Sequence, residues 1–156
     1  MKKIDLGQTV GILANLGVLV GILLLAYELN QTRDMTQAQT RNEMSQGLIA
    51  IMLDLAGDAE TASLILRGDN GEELSELDRN RYTNLTVAQL RYHENVHYQY
   101  LKGTYDETEY LAQREGWRNF VFQEIGLVEV FCMMRSGLSP AFVSEIEGLL
   151  TTHRCE

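Results

Sequence analysis

Cysteine is scarce in this chain, with two residues, Cys132 and Cys155, among 156. Two cysteines are too few for the disulfide framework of a small secreted domain, although one bridge between them stays open. One lies in an apolar segment and the other near the end of the chain, and neither setting indicates catalysis. The sequence also lacks an alternating strand pattern, a nucleotide-binding glycine motif and an internal repeat. These absences favour an all-α fold.

Basic residues are also few: 13 Lys and Arg oppose 22 Asp and Glu, which leaves a net charge of −9. Such an acidic chain argues against nucleic acid as a partner and against a polybasic grip on anionic lipids. Acidic runs are usually solvated surfaces, so the charge alone predicts no cationic ligand. The length fits a membrane anchor followed by one domain of about 125 residues.

Charge is absent altogether from residues 6–27, which lie between Asp5 and Glu28. At about 1.5 Å per residue, a helix of this length spans roughly 33 Å, close to the hydrocarbon thickness of a bilayer. A cleaved signal peptide is the main alternative, and Lys2 and Lys3 suit it. However, the apolar run is too long and no Ala-x-Ala site follows. We therefore interpret residues 1–27 as a single transmembrane anchor.

Small residues share one side of this predicted helix. At about 100° per residue, an arc of about 120° contains Gly7, Gly11, Ala14, Gly17 and Gly21. Two GxxxG pairs are included, and such pairs let helix backbones approach closely within a membrane. Asn15 borders the arc, where its amide can bond a neighbouring helix. The arc predicts self-association, although glycine is also simply common in membrane helices.

The rest of the chain is predicted to be helical. One long helix should cover residues 4–56, with a polar stalk at 28–47 and an apolar run over 48–55 that enters the core of a domain at 48–156. About four further helices should complete a compact bundle. Their expected starts are Asp58, Ser75 or Leu74, Asp106, a break near Gly126, and Ser139 with Pro140.

The helix that starts near Ser75 should run to residue 101, where Gly103 stops it. Helical spacing predicts that five of its side chains face the core: Leu77, Leu85, Ala88, Tyr92 and Val96. The next helix should carry Tyr110, Leu111 and Trp117 inward.

His93, Glu94 and His97 form a literal H-E-x-x-H motif on this helix. Two histidines at i and i+4 lie on one helix face and can bind zinc, while the glutamate activates the metal-bound water. Glu94 and His97 also make half of a di-iron pattern, without a second half. A catalytic zinc needs a third ligand, for which the candidates are His153, Glu115, Glu124 and Glu129. The plainer interpretation is a pair of partly exposed helix histidines.

Several short motifs resemble a widespread uncharacterised family of small bacterial membrane proteins: LNQTR at 29–33, EN at 94–95, YQY at 98–100 with Gly103, EGW at 115–117 and LSPAF at 138–142. The resemblance covers nearly the whole chain. It implies one N-terminal span, a compact helical domain, a bacterial inner membrane and a domain on the cytoplasmic side, but no activity. Members of the family carry several arginines after the span. Here only Arg33 and Arg41 remain, which balance Lys2 and Lys3 before it.

Glu94 and Asn95 have a structural interpretation as well as a catalytic one, because a carboxylate and an amide can bond the backbone of a nearby helix end or loop. The leading hypothesis is a non-enzymatic, membrane-anchored protein that self-associates and acts as a scaffold or interaction module, with lipid and its own copies as partners and no cofactor. The protein partner is not identified. The alternative is a membrane-tethered zinc metallopeptidase with Glu94 as catalyst and His93 and His97 as ligands. A minor alternative is a homo-oligomeric pore lined by polar anchor residues: Gln8, Thr9 or Asn15.

Overall fold

The computed structural model describes residues 6–150 and Cys155. In this part of the chain there is no strand, so the all-α prediction is confirmed. The six α-helices are α1 (Leu6–Gly57), α2 (Ala59–Asp69), α3 (Glu76–Leu101), α4 (Glu107–Gly116), α5 (Ile125–Met134) and α6 (Pro140–Leu149). A π-helix, Trp117–Val121, follows α4, and a 3₁₀ turn, Arg135–Gly137, follows α5. In the described residues five helices follow α1, one more than the predicted count of about four, and they begin at or next to the five expected starts. The π-helix and an extended residue, Glu124, form the break between α4 and α5.

The first helix is continuous from Leu6 to Gly57, close to the predicted range of 4–56. Ile4 lies outside the described residues. The chain divides into two units, Met1–Ala38 and Gln39–Glu156. The predicted boundaries after residues 27 and 47 stay predictions.

The part of the chain that the structure describes contains one helix long and apolar enough to cross a membrane, within Thr9–Gly57. Its most apolar window has a mean hydropathy of 2.4, and none of that window is buried.

Helix starts follow their predicted caps. The Asp58 carboxylate accepts a hydrogen bond from the Thr61 N–H at 2.8 Å, and the Ser75 hydroxyl accepts one from the Asp78 N–H at 3.1 Å. Asp106 accepts two, from the first turn of α4. These bonds satisfy backbone donors that a helix start leaves without intrahelical partners.

The buried face of α3 differs from the predicted one. Leu77 is 70% exposed and Ala88 is exposed, whereas the buried side chains include three that the pattern did not select: Tyr82, Thr86 and Leu90. The prediction is confirmed for Val96, which is fully buried, and for Tyr92, which packs against the core. It was wrong for Leu77 and Ala88 because it followed aliphatic spacing, while α3 packs against α2, α4, α5 and α6 through a mixed aromatic and polar face. In α4, Leu111 is also exposed, although Tyr110 and Trp117 are buried as predicted.

The apolar run at residues 48–55 does not enter the core. Ile49, Met52 and Leu53 are exposed, and the buried side chains of α1 lie before this run, at Thr40 and Met44. The carbonyl of Met44 accepts a hydrogen bond from the Tyr92 hydroxyl at 2.8 Å. One face of α1 is therefore fixed to the bundle, and the apolar residues on its other face are left uncovered.

Two glycines let α2 and α5 cross closely. A Cβ added to Gly126 would lie 2.0 Å from the carbonyl oxygen of Gly68, which is far inside van der Waals contact. The most deeply buried members of the aromatic and aliphatic core are Leu64, Leu90, Val96, Phe131, Phe142, Ile146 and Leu149.

Candidate functional site

The H-E-x-x-H motif lies on α3, and both of its histidines are inside the bundle. His93 is 3% exposed and His97 is 5% exposed, so the expectation of partly exposed histidines is wrong. Their i and i+4 spacing places both on the face that packs against the aromatic core. Sequence alone did not show this burial, because the covering rings come from later segments of the chain.

His93 is enclosed by aromatic rings. Its ring centroid lies 5.1 Å from that of Trp117, 5.3 Å from that of Tyr92 and 6.4 Å from that of Phe122. Both ring nitrogens are buried and have no hydrogen-bond partner among the described residues. Burial lowers the pKa of His93 to about 3, so the imidazole is neutral at pH 7.

His97 has a more polar surrounding. Its ring lies 5.9 Å from that of Tyr110 and 5.8 Å from that of Phe142. Burial lowers its pKa, while the negative charges of Glu145 and Glu94 act in the opposite direction. The two histidines of the motif therefore share a helix face but differ in their exposure to charge.

Glu94 connects α3 to the start of α6. Its Oε1 accepts a hydrogen bond from the Ser139 backbone N–H at 2.6 Å, and its Oε2 accepts one from Arg91 at 2.6 Å. Arg91 also donates to the carbonyl of Gly137 at 2.9 Å. Burial raises the pKa of the Glu94 carboxyl, but the Ser139 N–H and the Arg91 guanidinium lower it, and the net pKa lies below its usual value. This carboxylate therefore holds the turn that precedes Pro140.

Asn95, the neighbour of Glu94, contacts side chains rather than backbone. Its amide nitrogen lies 3.7 Å from the sulfur of Met44, and its amide oxygen lies 3.5 Å from the Gln99 amide nitrogen. Asn95 thus joins α3 to α1, whereas Glu94 joins α3 to the start of α6. The two residues act in different places, although the sequence suggested one shared role.

The arrangement does not resemble an open metal site. A catalytic zinc keeps one coordination position accessible to water or substrate, but His93 is closed in by rings. Of the proposed third ligands, Glu115 pairs with Arg118 and Arg114, and His153 lies outside the described residues. Over residues 6–150 and Cys155, no group of three or more metal-ligating side chains is found. Zinc at His93 and His97, with Glu94 as catalyst, stays an untested hypothesis.

An ion pair joins the two helices that carry the ring neighbours of His97, Tyr110 and Phe142. Arg114 on α4 donates to Glu145 on α6, and both side chains are about three-quarters buried. The pair lies near Tyr110, where burial and the Glu145 charge raise the pKa of the phenol. It links two helices that flank His97, a contact that no local sequence pattern indicated.

The small residues of the anchor are exposed in the single chain, except for the half-buried Gly21. A Cβ added to Gly11, Gly17 or Gly21 would meet nothing within 4 Å. Gly7, Ala14 and Asn15 are also exposed. The structure of one chain does not test whether another chain covers this face.

A cavity of about 360 Å³ lies beside the glycine crossing and was not predicted. Its lining combines carboxylates and one guanidinium with apolar side chains, among them Glu72, Glu129, Arg79, Val130 and Met133. None of its lining side chains is a buried polar group without a partner. The glycines at 68 and 126 were the one sequence signal of a close helix approach here.

The disulfide that the sequence left open is formed. Cys132 on α5 and Cys155, beyond the end of α6, are bonded, with Cα atoms 5.3 Å apart. Both side chains are half-buried against the core.

Comparisons with known proteins identify no family and no relative for this chain. No protein-family model, curated protein or solved structure matches the chain. The resemblance to the family of small bacterial membrane proteins therefore stays a prediction based on the short motifs.

Proposed function

We propose that this protein is a single-pass membrane protein that self-associates through the small-residue face of its anchor and serves as a scaffold or interaction module. The observation that carries the proposal is the exposure of the large apolar side chains of the anchor, from Val10 to Leu25, in the single chain. Its apolar window is unburied, and its glycines at 11, 17 and 21 have open space beside them.

The exposed apolar side chains of the anchor need a nonaqueous surrounding. Insertion of a Leu, Ile or Val at the centre of a membrane helix is favourable by roughly 0.3–0.6 kcal/mol for each residue. Twelve such residues between Leu6 and Leu25 together favour the membrane by about 4–7 kcal/mol. Lipid is therefore the first partner that the chain requires.

Lipid does not explain why the small residues share one side. Between membrane helices there is no hydrophobic driving force, and close backbone packing supplies van der Waals contact instead. Glycines at 11, 17 and 21 permit this approach, and Asn15 can bond across the contact rather than face hydrocarbon unpaired. With one span in each chain, a second copy is the simplest source of the second helix.

The domain supports an interaction role more than a catalytic one. Its motif residues are used in packing and in the Glu94–Ser139 contact, while three large apolar side chains of α1, Ile49, Met52 and Leu53, are exposed. These three residues stand at i, i+3 and i+4 and so share one face of α1, and contiguous exposed apolar groups mark protein contact surfaces. We propose a bacterial inner membrane as its location because the family that the chain resembles implies one.

Native mass spectrometry of the full chain released from lipid nanodiscs tests the assembly. We expect the wild type to appear as an oligomer, and Gly11→Leu with Gly17→Leu to shift it to monomer because the added side chains separate the backbones. Leu19→Phe, which adds bulk on the opposite side of the helix, is the matched control and should keep the oligomer.

Unchanged stoichiometry in the glycine variant would contradict the proposed face. The same spectra give the intact mass of the chain. A mass that lacks the first 27 residues would identify a cleaved leader and end the proposal of an anchor.

A further inference from the structure

The disulfide engages both cysteines of the chain and joins two separate elements. Cys132 lies on α5 and Cys155 lies beyond α6, 23 residues later. No thiol is left free. The α5 end of the bond lies in the element that carries Phe131 and the glycine crossing, so the bond is attached to the packed centre of the domain.

The bond ties Cys155, which lies beyond α6, to α5. Leu149 and Leu150, the last helical residue and its cap, are buried, and the half-buried Cys155 returns the chain to α5. A covalent link at this place keeps the end of α6 against the core. It closes the segment of residues 132–155, which includes Pro140, Phe142 and Ser139, the donor to Glu94.

A disulfide of this kind requires an oxidising compartment. Cytosolic thiol systems keep protein cysteines reduced, whereas the periplasm and the cell exterior maintain disulfides. The charges that flank the anchor do not decide its orientation, because Lys2 and Lys3 before the span equal Arg33 and Arg41 after it in number. The pairing of the cysteines is then the observation that separates the two orientations.

We infer that the helical domain lies on the oxidising side of the membrane, with the start of the chain in the cytoplasm, and that the domain is a substrate of a thiol–disulfide oxidoreductase. This orientation is the opposite of the one that the family resemblance implies. The inference rests on the proposed anchor but not on its self-association.

The oxidoreductase accepts the two electrons that oxidation of the two cysteines releases. A thiolate of the chain, Cys132 or Cys155, attacks the disulfide of the oxidoreductase and forms a mixed disulfide, and one oxidoreductase sulfur leaves as a thiolate. The thiolate of the second cysteine then attacks the mixed disulfide. The products are the Cys132–Cys155 bond and an oxidoreductase dithiol, so two electrons and the two cysteine protons pass to the oxidoreductase.

Differential alkylation of the full chain in growing bacteria tests the bond. Cells are quenched in acid, free thiols are blocked with N-ethylmaleimide, and the sample is then reduced and treated with a polyethylene-glycol maleimide. We expect two polymer adducts on wild type and none when reduction is omitted. Cys155→Ser is the matched control: its remaining Cys132 should be blocked in the first step and gain no adduct.

The orientation has its own measurement, with proteinase K added to spheroplasts and to inverted membrane vesicles. We expect digestion of the domain in spheroplasts and protection in inverted vesicles. Two free thiols in the membrane-inserted protein, or digestion in inverted vesicles alone, would overturn the inference. A bonded, outward-facing monomer would remove self-association and leave the inference standing, so the two failures are distinguishable.

Discussion

The two units of the chain, Met1–Ala38 and Gln39–Glu156, differ in what covers their apolar side chains. In the second unit, Phe131, Phe142 and Ile146 are fully enclosed by other segments of the same chain. In the first, the leucines, isoleucines and valines of the anchor from Val10 to Leu25 are exposed. The comparison separates a fold that one chain completes from a surface that needs lipid or another chain. Substitutions should therefore affect stability in the second unit and association in the first.

The largest difference should come from truncating one large apolar side chain in each unit. Phe142 is fully buried beside His97 and Trp117, so Phe142→Ala should cost about 3–5 kcal/mol of unfolding free energy through lost contacts and a cavity. Leu24→Ala, at an exposed anchor position, should leave the unfolding of the domain unchanged. Urea unfolding in detergent, followed by the near-ultraviolet circular dichroism of the domain, measures both. Equal losses in the two variants would remove the distinction between the units.

Acid should weaken the second unit through its buried histidine. The folded pKa of His93 is about 3, below the usual 6.5, so below pH 6.5 the unfolded chain binds a proton that the folded chain does not. Stability then falls as the pH falls from about 6.5 toward 3. For each pH unit of this fall, the free energy of unfolding decreases by up to about 1.4 kcal/mol, which gives about 2 kcal/mol between pH 6.5 and 5. Glu94 acts lower in the range, since its depressed pKa lies under 4.5.

His93→Phe checks this pH effect, because both nitrogens of His93 lack partners and an aromatic ring suits the site. We expect the variant to lose most of the pH dependence of the urea midpoint between pH 7 and 5. His97→Phe is the control, and it should keep the pH dependence of the urea midpoint that His93 contributes. An unchanged pH profile in His93→Phe would show that the imidazole is not held neutral in the folded chain.

The smallest effect should be that of Glu94→Gln. The amide oxygen can still accept the Ser139 N–H, and the loss is limited to charge on that bond and on the Arg91 contact, about 1 kcal/mol. Urea unfolding measures this loss.

The zinc content of the untagged wild-type protein tests the metallopeptidase alternative. We expect far less than one zinc per chain. A stoichiometric zinc that His93→Phe removes would revive the metallopeptidase alternative.

The features that could be predicted from sequence are those that a few neighbouring residues decide. The caps at Asp58, Ser75 and Asp106 bond donors within three positions, so their side chains identify them without tertiary information. The long apolar run of α1 is equally local. The all-α fold follows from these signals, and the positive φ of Gly103 after α3 agrees with its predicted role as a stop.

The candidate site depended on contacts between distant segments. Burial of His93 is caused by Trp117 and Phe122, and Glu94 meets an N–H 45 positions away. A periodic pattern on α3 cannot contain that information, which is why Leu77 was placed inward and the histidines outward. The same is true of the cysteines, because their pairing depends on how α6 returns to α5.

The number of copies in one assembly within a lipid bilayer tests self-association most directly. The full chain, labelled with a single fluorophore and reconstituted at low density in vesicles, can be counted by its photobleaching steps. Two or more steps for wild type, and one step for Gly11→Leu with Gly17→Leu, are the predicted result. A single step for the wild type under the same conditions would contradict the account.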